Sequence, residues 1–169
     1  MRWIWIDKFI DFESGRRAVA IKNVTLAEEH LHDHFPGFPV MPECLMIEAM
    51  AQCAGILVGE ARDFKEKVIL AKIQKAAFFD FVRPGESIQL EATIESIAPE
   101  AASTRGRITR QGHAIAEIDL MFSHIDQNLA GMTFPRENFV FENSTFKSLL
   151  RDFSAQPRSE TGPTGAPHG

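Results

Sequence analysis

The sequence predicts an α+β domain in which a curved antiparallel sheet wraps one long central helix. Two observations support this prediction. The segment from Glu43 to about Arg62 is apolar on nearly every side, which is typical of a helix covered by other elements. The segment from Ser87 to Ile97 instead alternates apolar and polar residues, which is the pattern of a half-buried strand.

Two strands are expected before the helix. Ala18 to Val24 is rich in β-branched residues and predicts a strand, whereas Trp3 to Phe12 predicts a weaker strand or a packed loop. Pro42 fits the first turn of the helix, because an N–H group at that position has no partner within the helix. We therefore expect the helix to begin close to Pro42 and to continue to about Arg62.

The segments after the helix predict a meander of antiparallel strands. Turns are expected at Arg83-Pro84-Gly85-Glu86 and at Gln111-Gly112, because proline and glycine favour turn conformations. The segments around these turns are Lys67 to Phe78, Ser87 to Ile97, Ser103 to Thr109 and His113 to Ser123. Strands that alternate in this way place one face on a core and the other in water.

The chain of 169 residues is long enough for one domain with a substantial core. We assign residues 1–126 to this domain. Residues 127–153 form a predicted C-terminal extension packed on it, in which Ser144 caps a short helix that ends at Arg151. Residues 154–169 are rich in Pro, Gly, Ser and Thr and lack large apolar side chains, so we expect a disordered tail.

The charge and the hydropathy pattern exclude several classes of protein. A net charge of −5 gives no global basic field, which argues against nucleic acid or an anionic membrane as the main partner. Glu48 and Gln52 interrupt the most apolar window, so no membrane span is expected. The first residues lack the hydrophobic region and cleavage site of a secretory signal, which predicts a cytoplasmic protein.

The two cysteines, Cys44 and Cys53, lie nine residues apart on the predicted helix. At the rise of an α-helix this spacing is about 13 Å along the axis, which is too long for a disulfide bond. We expect both to be reduced thiols in the core. A nucleophilic role for Cys44 stays open, because a helix N-terminus stabilises a thiolate.

His34 and Glu48 form a candidate acid/base pair. His34 precedes a rigid Pro-Gly turn, and Glu48 is the one carboxylate inside the apolar helix, with Gln52 one turn later. An ionised carboxylate in apolar surroundings is destabilised by desolvation unless it is paired or lines a cavity, which suits a general acid. The residues alone also allow a second interpretation, in which Glu48 lies on a wet stripe and His34 caps a loop.

These residues occur in a recognisable order. The run His34-Phe-Pro-Gly-x-Pro-x-Met-Pro42, followed by Leu45-x-x-Glu48-Ala-x-Ala-Gln52, resembles the signature of the hot-dog-fold 3-hydroxyacyl-[acyl-carrier-protein] dehydratases of fatty acid synthesis, of the FabZ type. Flanking segments are also similar, so the resemblance covers about Arg17 to Ser123.

The resemblance implies a hot-dog homodimer with shared sites, in which His34 of one subunit faces Glu48 of the other. It leaves further assembly, such as a trimer of dimers, open. His34 would remove the α-proton of a 3-hydroxyacyl thioester while Glu48 protonates the departing hydroxyl group. The products would be water and a trans-2-enoyl thioester on acyl carrier protein or coenzyme A. No metal or redox cofactor is implied.

Several residues are expected to contact this substrate. The N–H groups of Glu43 and Cys44 at the helix N-terminus suit the negative charge that develops on the thioester oxygen. The predicted substrate-binding residues are Phe35, Gly37, Phe38, Glu43, Cys44 and Gln52. An apolar slot for the acyl chain could be lined by Phe35, Phe38, Met41, Leu45, Phe78 and Phe79, although ordinary core positions explain these residues equally well.

The chain departs from the family pattern at three points. Glu43 replaces the usual glycine after Met-Pro, and Phe79-Asp80 replaces two arginines that would suit an acidic carrier protein. The third departure is that the N-terminal leader resembles the usual one poorly and the tail after about Asp126 is extra. Other basic residues could compensate: Lys72, Lys75, Arg83, Arg105, Arg107 and Arg110. The chain is therefore a divergent member of the family. A hot-dog protein that only binds acyl thioesters, or a thioesterase, is the alternative.

A different class of site is suggested by His30-Leu31-His32-Asp33-His34. Alternating histidines on a strand would project to one face and could bind zinc or a similar ion. A metal site leaves Glu48 and Gln52 without a role, so we prefer the dehydratase hypothesis.

Overall fold

The computed structural model describes residues 3–125, with the short segments 128–129 and 132–133. One helix and six strands make up the main body, and a single turn of 3₁₀-helix spans Glu29–Leu31. The elements are β1 (Lys8–Glu13), β2 (Arg17–Asn23), α1 (Glu43–Glu60), β3 (Lys67–Phe78), β4 (Ser87–Ile97), β5 (Ala101–Arg110) and β6 (His113–Ile125). Two short strands, β7 (Asn128–Leu129) and β8 (Met132–Thr133), pair with each other apart from the main sheet.

The six long strands form one antiparallel sheet in the order β1-β2-β4-β5-β6-β3. Strands β4, β5 and β6 form the predicted meander, and β3 returns to pair with β6 at the far edge. Helix α1 packs on this sheet, mainly against β4, β3 and β2. Its fully buried side chains, such as Met46, Met50 and Leu57, meet Leu90 of β4 and Ile118 of β6 in one continuous core.

The predicted α+β architecture is confirmed, and so are its main elements. Strands β3 and β4 have the predicted bounds, and helix α1 starts directly after Pro42. Within the described residues, no helix has the length and apolar character to cross a membrane. The helix expected at Ser144 to Arg151 and the tail 154–169 lie outside the described residues, so the proposed domain division stays a prediction.

One stripe along the first half of α1 is less buried than the rest of the helix. Cys44 is exposed, and Ile47, Glu48 and Ala51 are only partly buried. Spacings of three and four residues put them on one face. Deep burial of Glu48 is therefore not found in the single chain, because its side chain lies on this open stripe.

The two cysteines have different surroundings. Cys53 is fully buried, and desolvation raises the pKa of its thiol to about 12, so it stays protonated at neutral pH. Cys44 was predicted to be a core thiol, and this prediction is wrong, because the first turn of α1 projects it into solvent. Both are free thiols.

Strand β5 passes close to helix α1 at Gly106. A Cβ atom at this position would lie 2.5 Å from the carbonyl oxygen of Ile118 and 2.6 Å from Sδ of Met50. Both distances are far below van der Waals contact, so only glycine lets the strand and the helix approach this closely.

Gly106→Ala is therefore expected to lower the free energy of unfolding by about 1–3 kcal/mol, the usual cost of forcing extra volume into a packed core. Urea denaturation followed by circular dichroism measures this change. Arg107→Ala, at an exposed position of the same strand, is the control and should change stability by less than about 0.5 kcal/mol. Equal stabilities for the two variants would contradict the packing described.

Candidate active site

The segment before helix α1 contains a tight turn closed by its own backbone. The N–H of Phe35 donates to the carbonyl of Phe38 at 3.1 Å, and the N–H of Phe38 donates back to the carbonyl of Phe35 at 2.9 Å. Pro36 and Gly37 occupy the two central positions, and Gly37 has a φ of 77°, which favours glycine. The Pro-Gly pair in the sequence is thus the local cause of the turn.

Backbone contacts also fix both ends of this turn. The N–H of His34 donates to the carbonyl of His30 at 3.1 Å, and the N–H of Val40 donates to the carbonyl of His34 at 2.9 Å. Directly before the helix, the N–H of Met41 donates to the carbonyl of Val82 at 2.8 Å. The loop is therefore anchored to the segment between β3 and β4, and His34 has a defined position.

The imidazole of His34 is held in one tautomer. Its Nδ1 atom lies 3.0 Å from the carbonyl oxygen of Val40, and its ring stacks on Phe35 with the ring centres 4.1 Å apart. A carbonyl oxygen accepts hydrogen bonds and cannot donate them, so Nδ1 must carry the proton. This leaves the lone pair on Nε2, which is the arrangement that a general base requires.

Glu48 is oriented by a neighbour one turn further along α1. The Nε2 atom of Gln52 donates to Oε1 of Glu48 at 2.8 Å. The other carboxylate oxygen, Oε2, is then the one that holds and delivers a proton, because Oε1 already accepts an N–H bond. The partly buried carboxyl group can therefore act as an acid in a defined direction.

Gln52 itself is buried, and its amide also binds the N-terminal segment of the chain. Its Nε2 atom donates to the carbonyl of Trp3 at 2.9 Å, and its Oε1 atom accepts from the N–H of Trp5 at 2.8 Å. Both N–H donors and the acceptor of the amide are thus used within the protein. Gln52 was expected to contact substrate, whereas these contacts favour a role in positioning Glu48.

The helix N-terminus supplies backbone donors near the site. Leu45 and Met46 donate the first hydrogen bonds of the helix, both to the carbonyl of Pro42. The N–H groups of Glu43 and Cys44 precede these bonds, as the first N–H groups of a helix do, and can bind an anionic oxygen. The side chains of Glu43 and Cys44 are exposed. The carboxylate of Glu43, which stands where the family usually has glycine, therefore points into solvent.

The aromatic residues expected at the substrate are on the surface. Phe35 and Phe38 are exposed, and the ring of Phe38 packs edge-on against Phe81 and under the guanidinium of Arg83. Phe38 and Gly37 line a small groove of about 300 Å³ beside the turn at Pro84. They are close to His34 in the chain and available to a ligand.

The predicted apolar slot is not formed in the described chain. Met41 belongs to the closed core, whereas Phe79 is exposed on the surface. A larger opening, here called the N-terminal cleft, has a volume of about 830 Å³. Leu45 is the one residue of the predicted slot that is among the lining residues of this cleft. Its lining residues are Trp3, Ile4, Trp5, Asp7, Lys22, Asn23, Thr25, Glu28, Glu29, His30, Asp33 and Leu45.

The histidine run does not converge on a metal site. The expected strand is absent, because Glu29–Leu31 forms a 3₁₀ turn. The ring of His30 packs against Trp5, and Nε2 of His32 lies 3.2 Å from the carbonyl of Leu26. Within residues 3–125 no group of three His, Cys, Asp or Glu side chains is placed to hold a metal ion.

Three of the six basic residues that could compensate for the missing arginines are in ion pairs. Arg110 pairs with both Asp80 and Glu86, so the unusual Asp80 is neutralised within the chain. Lys75 pairs with Glu117 at 2.5 Å, and Arg105 pairs with Glu95. Arg83 instead lies over the ring of Phe38, 4.6 Å from its centre, and is the basic group beside the turn.

The N-terminal cleft is the feature that sequence reasoning missed. Trp3 and Trp5 were expected only as a weak strand or packing segment, yet they form one wall of the cleft. The alternation Trp3-Ile4-Trp5-Ile6 was the available signal, because it marks an extended segment with aromatic side chains on one face. The contact of this segment with Gln52 joins positions 49 residues apart and could not be read from local pattern.

Comparison with known proteins identifies the family. Residues 3–121 match the model of the FabA-like domain. A 3-hydroxyacyl-[acyl-carrier-protein] dehydratase FabZ from Caldanaerobacter subterraneus subsp. tengcongensis is 42% identical over 122 residues, which is 71% of this chain and 86% of that protein. The enzyme of the same name from Thermomicrobium roseum is 37% identical over 132 residues, which is 78% of this chain and 89% of that protein.

Solved structures share the fold. The dehydratase heterocomplex ApeI:P from Xenorhabdus doucetiae matches with a TM-score of 0.62 at 15% identity, over 73% of this chain and 84% of that one. The structure of smu.793 from Streptococcus mutans, bound to acetyl CoA, matches with a TM-score of 0.60 at 13% identity, over 74% and 93%. The predicted hot-dog fold is confirmed. With the family model across most of its length and FabZ relatives over more than two thirds of it, the chain belongs to the FabA-like family of hot-dog dehydratases, and within it to the FabZ type.

Proposed function

We propose that the protein dehydrates (3R)-3-hydroxyacyl thioesters on acyl carrier protein to trans-2-enoyl thioesters in fatty acid biosynthesis. The FabZ relatives support the reaction and its carrier. The main structural support is that the chain holds a histidine whose Nε2 is free to accept a proton and a carboxyl group whose Oε2 is free to donate one. The reaction needs one base and one acid of this kind.

In the proposed mechanism His34 is the base and Glu48 is the acid. Nε2 of His34 takes the α-proton of the substrate, and the electrons of the C–H bond form the double bond between the α- and β-carbons. The bond from the β-carbon to its hydroxyl oxygen breaks, and Glu48 gives that oxygen a proton, so that water leaves. The proton on His34 then returns to Glu48 through solvent, which restores both groups.

Negative charge develops on the thioester oxygen while the α-proton leaves. The N–H groups of Glu43 and Cys44 lie at the positive end of the α1 dipole and would stabilise this charge. They act through the backbone, so the replacement of glycine by Glu43 keeps the donor. The exposed side chain of Glu43 adds a carboxylate near this position, which favours a slower enzyme or a different substrate than in typical members.

A shared site in a homodimer is part of this proposal. Strand β3 is an edge of the sheet, and residues 70–76 are exposed, including the apolar side chains of Leu70 and Ile73. An exposed edge strand that carries apolar side chains favours pairing with a second copy. The open stripe on α1 would be covered in the same assembly, which would bury Glu48 as the sequence predicts. A trimer of dimers and a cytoplasmic location stay predictions.

The reaction is tested in reverse, by hydration of a trans-2-enoyl thioester on acyl carrier protein and on coenzyme A. Loss of enoyl absorbance measures the rate. His34→Ala and Glu48→Gln should each lower kcat by at least about 100-fold, the usual contribution of a general acid or base. His32→Ala and Glu100→Gln replace the same residue types at exposed positions and should retain activity. If wild-type protein is inert on both carriers, the acyl-binding alternative is favoured.

Mixing the two inactive variants tests whether the site is shared. His34→Ala and Glu48→Gln proteins are unfolded together in equal amounts and refolded. Mixed dimers have one site with both groups intact, so about a quarter of the wild-type activity should return if subunits exchange at random. If both groups of a site came from one chain, mixing would restore no activity.

Gln52→Glu tests the positioning of Glu48. The change keeps the size of the side chain and replaces the Nε2 donor by oxygen, so kcat should fall by roughly ten-fold, the worth of a hydrogen bond to a charged group. Activity should recover partly at low pH, where the new carboxyl group can donate a proton. Gln89→Glu, at an exposed position of β4, is the matched control. A fall in kcat without this pH dependence would point to a structural effect alone.

A further inference from the structure

The N-terminal cleft has the size of a ligand site. Its volume of about 830 Å³ falls within the range of small-molecule pockets. Its apolar lining residues are Trp3, Ile4, Trp5 and Leu45. The other lining residues are polar or charged, and most come from the end of β2 and from the residues around the 3₁₀ turn at Glu29–Leu31.

The cleft adjoins the acid of the proposed reaction. Leu45 lines the cleft, and Glu48 and Gln52 follow it at spacings that place all three on one side of α1. The Nε2 atom of Gln52 contacts Oε1 of Glu48 at 2.8 Å and the carbonyl of Trp3 at 2.9 Å. One nitrogen atom, Nε2 of Gln52, thus donates both to the carboxyl group of Glu48 and to a residue that lines the cleft.

The apolar wall is aromatic and accessible. The side chain of Trp3 is 57% exposed, although its backbone is fixed by Gln52. The ring of Trp5 packs edge-on against it, with ring centres 5.2 Å apart and planes at 77°. A third ring could stack on Trp3 with the offset or edge-on geometry that aromatic groups prefer.

The charges around the cleft disfavour anionic ligands. Four carboxylates line it, and the single lysine is already paired: Nζ of Lys22 lies 3.0 Å from Oε1 of Glu28. Both side chains are largely buried, so the lysine is not available to a ligand. The carboxylates are Asp7, Glu28, Glu29 and Asp33. A negatively charged group entering the cleft would therefore be repelled.

We propose that the N-terminal cleft receives the acyl group of the substrate and selects acyl groups that end in an uncharged aromatic ring. The inference rests on the proposed dehydratase function, because it places the acyl group beside Glu48. Trp3 is the specificity-determining residue, since its ring is the exposed aromatic surface of the cleft. Straight alkyl chains lack the ring contact, and chains that end in a carboxylate meet the acidic wall.

Hydration kinetics test this selection with pantetheine thioesters of trans-2-enoyl acids. The series is a chain ending in a phenyl ring, a straight chain of matched length, a chain ending in a carboxylate, and the short crotonyl group. Wild-type protein should prefer the phenyl-ended substrate over the straight chain. Trp3→Ala should lower the ratio of kcat/KM for the phenyl-ended and straight-chain substrates by about ten-fold, and Trp3→Phe should restore most of it. Phe81→Ala, an exposed aromatic outside the cleft, should leave this ratio as it is.

Tryptophan fluorescence gives a second readout that does not need catalysis. The chain has two tryptophans, Trp3 and Trp5, and both line the cleft, so a bound acyl group should change the emission directly. Saturated phenyl-ended thioesters should change it at lower concentration than straight-chain ones, and carboxylate-ended ones least. If the protein binds the thioesters in this order but does not catalyse hydration, the dehydratase function is rejected and the cleft is kept as an acyl site. Hydration without a preference, or with a ratio unaltered in Trp3→Ala, would overturn the cleft proposal and keep the dehydratase.

Discussion

The buried amide of Gln52 connects the helix that carries Glu48 with the chain segment that walls the cleft. This side chain has three hydrogen-bond partners, and together they determine which atom of the amide donates and which accepts. The backbone N–H of Trp5 must meet an oxygen, so the Nε2 atom must face Glu48 and the carbonyl of Trp3. A rotation of the amide would leave buried polar groups unsatisfied, at a cost of about 1–3 kcal/mol for each group. The direction of the Glu48 carboxyl group is therefore a property of the fold.

The loop that carries His34 is also held in place by hydrogen bonds. The turn before the helix is closed by local backbone bonds, but its distance from the sheet is set by the bond between Met41 and Val82. Val82 leads directly into the second Pro-Gly turn, where Glu86 binds Arg110. The loop that carries His34 and the turn that precedes β4 are thus joined by a backbone hydrogen bond. A substitution that shifts this turn is expected to shift the histidine as well.

Local sequence predicted most of the fold because its signals act over a few residues. Alternation of apolar and polar residues predicted β4 with its bounds, and Pro42 predicted the start of the helix. Burial was predicted less well, since it depends on what covers each face: Cys44 is exposed, and Glu48 lies on an open stripe. The metal-site alternative for the histidine run needed a strand, and three residues carry too little sequence information to distinguish a strand from the 3₁₀ turn that forms there.

The sequence predicts the chemistry of the site but not the contacts that hold its residues in place. His34 and Glu48 stand out by residue type and position, and the resemblance to known dehydratases gave their proposed roles. Their partners are a backbone carbonyl, Val40, and an amide, Gln52, that serves a distant segment. Such contacts depend on three-dimensional placement, so no local pattern indicates them. The cleft was missed for the same reason, because its walls come from separate parts of the chain.

The position of Trp3 has a practical consequence for work with this protein. Its carbonyl is bound to Gln52, so any group attached to the chain directly before Trp3 lies close to the cleft and to the amide that orients Glu48. A purification tag or fusion partner joined there would alter the kinetics through the tag itself. Rates measured on tagged protein therefore need a comparison with protein tagged at a different place in the chain.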